Sequence, residues 1–384
     1  MFNVKAVGNP VFDDHAVAFS EEGDFFDYVE EREANAEWID PCPIKEVKFV
    51  PMENMPILAV LESAKLGVSP EAYVDTLNNA KLIVETPDGR KMLMRVNAMN
   101  QAKQRLMIDG TVFNRFTSEQ TAMVLNECCS VNSNKVVMRY ADEKASAFLS
   151  AASYAIIPAV EVFDKAKESV REVLQQPSFL AGFYAHAFSA AEWKISGTAR
   201  KTRKIVERYQ DLLGGEYDVV CSVKTSDTGN CAVTVEPKLV KSGAATWATI
   251  PLGEAMRAEH KGSSDMEQIS EMFKMFTSAL EKGAERLEAL EEIKLFHSAN
   301  ALLSAMKRVQ LPKKYAMDVL ERFVAIHGRN NASALDLFMA AQEVPALVEA
   351  AEHDLLKTYR MEDTIARLLG MNWRDLDVAG DLVW

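Results

Sequence analysis

The chain has 384 residues, of which 48% are hydrophobic and 26% charged, and its formal net charge is −13. That length holds two or three domains with a sizeable core, and no apolar run approaches the roughly 18 residues that span a bilayer. So negative a surface excludes general attraction to polyanions, so any nucleic-acid contact must come from a local basic patch.

The first residues, MFNVKAVGNPVFDDHAVAF, carry no basic region followed by an apolar stretch. No export signal is read, and the cytoplasm is the expected compartment. The five cysteines (Cys42, Cys128, Cys129, Cys221, Cys231) are odd in number and form no CxxC pair, which suits free thiols. Between Asp13 and Asp40 stand eleven acidic residues against Arg32 alone. Residues 1–44 therefore read as a solvated acidic segment, with docking on a basic surface, of a partner or of this chain, as the sharper alternative.

A mixed region follows, from 45 to 262. LIVETPDGRKMLMRV (82–96) is two apolar runs joined by Pro87-Asp88-Gly89, a strong hairpin signal. A helix is expected from Thr117 or Ser118, then strands at 135–140 and 148–157, then a helix opened by Pro158. Residues 183–196 read as one strand. The helix in TARKTRKIVERYQDLL should end at Gly214, and SVKTSDTGNCAVTVEP (222–237) reads as a hairpin with a polar turn. From 263 to 384 everything reads as helical. The first helix there has Met266, Ile269, Phe273, Phe276, Leu280, Leu287 and Leu290 at heptad-like steps, with Gly283 in the gap. That stripe serves either internal packing or self-association. Later helices should begin at Pro312 and near Ser333, with a restart at Pro345. The fold class is α+β: a strand-hairpin and helix core followed by an all-α domain.

The basic patches are local. Arg200, Lys201, Arg203 and Lys204 crowd the start of one helix with no carboxylate among them. Cations there oppose the helix dipole by about 0.3–1 kcal/mol each, so the run invites an anion such as phosphate. Arg90, Lys91 and Arg95 form a second cluster. Arg257, His260 and Lys261 form a third, with His260 read as an exposed linker residue. Lys224 and Arg257 are candidate backbone contacts, and Trp193 and Tyr209 candidate stacking aromatics. Enzyme templates are missing: there is no GxxxxGK[ST], GxGxxG, HExxH or GxSxG. No catalytic residue, cofactor or metal ligand is assigned.

Five blocks in order, KASAFLSAASYAIIPAVEVFDKA, SAAEW, VKTSDTGNCAVTVEPKLV, RAEHKG and NASALDLFMAAQEV, resemble the phage- and plasmid-borne domain of unknown function 932. Ser226, Asp227 and Gly229 match that family's strand turn, and Ser333, Asp336 and Ala340 a late block. Where the family carries Cys-x-Asn-Gly, this chain has KSGAATWATIPLGEAM. The resemblance implies a mobile-element origin and no established catalytic machinery. The expected function is a non-enzymatic, homo-oligomeric protein that handles single-stranded nucleic acid by binding or annealing. The alternative is a module binding a host or phage protein, a defence inhibitor or virion component, through the acidic segment.

Overall fold

A computed structural model describes residues 9–52, 56–108, 110–174, 177–195, 202–214, 217–242, 249–253, 255–262, 266–352, 355–380 and 384. The chain runs β1 (Ala16–Phe19), α1 (Glu22–Ala34), β2 (Ala36–Pro43), β3 (Lys48–Pro51), α2 (Ala59–Leu66), α3 (Pro70–Asn78), β4 (Leu82–Glu85), β5 (Lys91–Met94) and α4 (Val96–Arg105). It continues through α5 (Ser118–Ser130), β6 (Lys135–Ala141), β7 (Lys144–Ser150), α6 (Ala159–Leu174), β8 (Ser178–Ala185), β9 (Ser189–Lys194) and α7 (Arg203–Leu213). Next come β10 (Tyr217–Thr225), β11 (Val233–Lys241), β12 (Ile250–Pro251), β13 (Met256–Ala258) and α8 (Met266–Glu292). The remainder is β14 (Lys294–Leu295), α9 (Ser298–Arg308), α10 (Lys313–His327), β15 (Ala332–Ser333), α11 (Ala334–Ala341), α12 (Glu343–Glu352) and α13 (Leu355–Ile365). The class is α+β with a helical C-terminal region.

Two sheets carry the strands. The first runs β1-β8-β9-β10-β11-β12, with β13 also paired to β11, and is antiparallel throughout. The second runs β2-β6-β7-β5-β4-β3, antiparallel except for β5 with β7. Several expected boundaries hold for simple reasons. Thr117 and Gln120 form a capping box that starts α5, Gly214 ends α7 at φ 70°, and α6 begins directly after Pro158. The stretch 183–196 is two strands rather than one, turning at His186–Phe188, and the strand expected at 148–157 ends at Ser150.

The acidic segment is not a solvated arm. It supplies an edge strand to each sheet: β1 pairs with β8 and β2 with β6, and α1 buries Phe25, Phe26 and Val29 against α6 and the first sheet. Its carboxylates meet this chain's own cations. Asp13 contacts Arg95 at 3.2 Å, Glu33 contacts Arg139 at 2.7 Å, and Glu37 takes Arg90 through both oxygens. Arg90 and Arg95 are thereby engaged within the fold, Arg95 being only 1% exposed, while Lys91 stays exposed.

The α8 stripe is likewise used internally. Ile269, Phe273, Phe276, Leu280 and Leu287 are buried against α6, α7 and the first sheet. Gly283 fills the gap in the heptad because the Tyr209 hydroxyl lies where its Cβ would be, and that hydroxyl donates to the Leu280 carbonyl at 2.6 Å. One hydrophobic cluster runs from Val17 and Phe25 through Val223 to Phe276, Leu302 and Trp373, so the core continues across the residue-262 boundary. Residues 263–265, where that boundary was expected, lie outside the described residues.

Candidate functional site

Side chains alternate across a strand, so the first sheet has two distinct faces. Val219, Cys221, Val223, Val235 and Leu239 point toward α6, α7 and α8. The opposite face is polar, and register sets its rows. Phe183, Ala190, Lys224, Thr234 and Arg257 stand level on β8, β9, β10, β11 and β13. One row on lie Glu192, Ser222 and Glu236, and beyond them Lys194, Val220 and Lys238. Lys224 and Arg257, separate in sequence, are thus brought to one face and one level.

Helix α13 lies on this face. Tyr359 stacks on Phe183, with centroids 5.2 Å apart and planes at 29°, and meets Phe188 edge-on at 5.4 Å. Asp363 accepts from Lys224 at 3.0 Å. Glu362 accepts from Lys238 at 3.0 Å, from the Thr249 amide at 2.6 Å and from the Thr249 hydroxyl at 2.9 Å. Lys224 also sits over the Phe188 ring at 5.7 Å. Its side chain is 14% exposed, while Arg257 is open to solvent.

Three buried carboxylates surround one ammonium here. Glu192, Glu236 and Glu362 lie within 3.8, 3.9 and 3.0 Å of the Lys238 amine. Burial pushes all three carboxyls up, and Lys238 offsets only part of that, leaving Glu362 at about 7. Burial works against the Lys238 ammonium too, but Glu362, Glu236 and Glu192 outweigh it and keep it charged. One cation cannot balance three carboxylates in a dry site, so the cluster keeps a proton near neutral pH.

The α7 cations lie elsewhere. Arg203 and Lys204 are exposed in its first turn, where Thr202 gives no side-chain cap and no acidic residue stands. Arg200 and Lys201 lie outside the described residues. Because α7 packs on α8 and the apolar side of β10, Arg203 and Lys204 are on the opposite side of the sheet from Lys224 and Arg257. Neither aromatic proposed for stacking is available. Tyr209 is buried, and Trp193 is buried with its indole N–H donating to Glu22 at 3.0 Å.

The turn Ser226–Asn230 plugs the seam between the two sheets. The Ser226 hydroxyl donates to the Ala187 carbonyl at 2.7 Å and accepts from the Thr228 and Asn230 amides. Asp227 accepts from the Ala159 amide at 2.8 Å, capping α6 from a distance of 68 residues in sequence. Burial raises its carboxyl to about 6, against the pull of Arg139 and that amide. Gly229 has φ 69° and faces Leu149 and Tyr154. Ser226, Asp227 and Gly229 are therefore joints of the fold. Ser333 and Asp336 are a reciprocal cap on α11, which accounts for their spacing in the late block.

His260 is not an exposed linker residue. It is 8% exposed, stacked on Tyr154 at 5.3 Å, and burial lowers its pKa. The cysteines are free, and Cys221 pairs in register with Pro237 rather than with Cys231. Among the described residues no group of three or more His, Cys, Asp or Glu is placed to hold a metal ion, and no helix is long and apolar enough to cross a membrane. No family model, curated protein or solved structure matches the chain. The likeness to domain of unknown function 932 rests on the five quoted blocks alone.

Proposed function

We propose that this chain is a non-enzymatic protein of a phage or other mobile element that handles single-stranded nucleic acid, acting in the host-cell cytoplasm as a homo-oligomer. The observation that supports the reading is the level row on the polar sheet face that carries Phe183, Lys224 and Arg257, with the Lys224 amine over Phe188 and both phenylalanines buried beneath Tyr359 of α13. Cations that track a backbone and aromatic faces that take bases are what sequence-tolerant single-strand binding requires. The exposed cations of α7 offer a second phosphate contact on the other side of the sheet. With the α8 stripe buried, assembly falls to other surfaces, such as Ile57 just before α2 and Val60 and Leu61 in its first turn, which are 89%, 65% and 61% exposed.

The test is fluorescence anisotropy of a labelled oligothymidylate at low salt. Lys224→Ala with Arg257→Ala, and separately Arg203→Glu with Lys204→Glu, should each weaken binding about tenfold or more. Thermal melts should show that both double variants keep the fold. Unchanged affinity in both would refute the assignment.

A further inference from the structure

We propose that α13 is an internal occupant of the nucleic-acid surface, which a single strand must displace before it can bind the sheet. The inference rests on the function proposed above and adds how the site is regulated. Tyr359, Glu362 and Asp363 fall three and four residues apart, so one face of α13 presents all three to the sheet. Each does what a nucleotide strand would do. The Tyr359 ring lies nearly flat on Phe183, as a base would stack. The carboxylates of Asp363 and Glu362 take Lys224 and Lys238, as phosphates would. The occupant and the ligand compete for the same groups.

α13 is held unevenly, loosely at Asp363 and firmly at Tyr359, Glu362 and Ile365, which are 4%, 1% and 0% exposed. Asp363 is 49% exposed, and ion pairs this open contribute little to stability. The stronger ties are Glu362 to Thr249 and Lys238, and the Tyr359 contacts with Phe183 and Phe188. Beneath the helix the sheet keeps Lys224 and Lys238 against Glu192 and Glu236, and with Arg257 beyond the helix end the uncovered face carries a net positive charge and two phenylalanines. With α13 in place Asp363 and Glu362 remove that net positive charge. Arg257, beyond the end of the cover, stays open as a point of first contact.

Hydrogen exchange followed by mass spectrometry on the full chain, with and without oligothymidylate, reads the displacement directly. Amides of residues 357–365 should exchange at least severalfold faster when the oligonucleotide is bound. Asp363→Asn should raise affinity about tenfold at low salt, and adding Lys224→Ala should cancel the gain. Tyr359→Ala supplies an uncharged second route to the same gain, and a thermal melt confirms that each variant is folded. Binding that leaves α13 exchange unchanged or slower, with no gain from either variant, overturns this inference and leaves the proposed function standing. Absence of binding by wild type and both variants overturns the two together.

Discussion

Gly229 combines a left-handed backbone with a close approach: a Cβ there would lie 2.8 Å from Leu149 Cδ2 and 3.2 Å from Tyr154 Cε2. Gly229→Ala should destabilise the protein by about 2 kcal/mol, from left-handed strain and crowding at the seam, as read by chemical denaturation. An effect below about 0.5 kcal/mol would show that the turn is not a joint between the sheets. Glu362 gives a pH signature. Its carboxyl keeps its proton to about 7 in the fold and loses it near the ordinary 4.5 when unfolded. The stability it contributes is therefore full below about pH 4.5 and lost as pH rises through 7. Glu362→Gln should remove about 3 kcal/mol of the fall in stability between pH 4.5 and 8. Burial holds His186 well below its usual range, and it acts with the opposite sign, losing stability as pH falls below about 6.5, but it is common to both proteins. Parallel stability curves would contradict the buried-carboxyl assignment. The sequence showed Asp227 and Gly229 as turn residues, because turn chemistry is local. That Asp227 caps α6, or that His260 is buried against Tyr154, depends on long-range contacts that no local spacing encodes.

Among the elements, β1, α1 and β2 most clearly separate composition from structure. The acidic count suggested an arm, and it obscured the pattern Phe25, Phe26 and Val29, which is a buried helical stripe after a short apolar strand. Deleting residues 13–40 removes an edge strand from each sheet and strips Arg95 and Arg139 of Asp13 and Glu33. Arg95 keeps Asp142 and Arg139 keeps Asp227, so the larger loss is the buried Phe25, Phe26 and Val29 with the two edge strands, and the deleted protein should show no cooperative melt. A sharp transition near that of the full chain would mean the segment is dispensable to the fold. The turn between β8 and β9 was hidden for another reason: His186, Ala187 and Phe188 include neither glycine nor proline, so no turn signal interrupts the run. By contrast α5, α6, α7 and the two hairpins were legible because caps, glycines and proline mark their ends.

For the whole molecule, the sequence located cations but not the side of the sheet each would occupy. Pairing register joined Lys224 and Arg257 across Thr234, while helix packing sent Arg203 and Lys204 to the other side. With a net charge of −13, the single-strand binding proposed above requires these local groups to act against the overall field. Salt dependence measures them directly. Each phosphate neutralised on a single strand adds about −0.7 to the slope of log affinity against log salt. The decisive measurement is the anisotropy titration of wild type and of Lys224→Ala with Arg257→Ala against oligothymidylate over a range of salt. Wild type should show steep salt dependence, and the variant a slope shallower by about 1.4. Equal slopes and affinities for the two proteins, or no binding by wild type at low salt, would contradict the proposed binding.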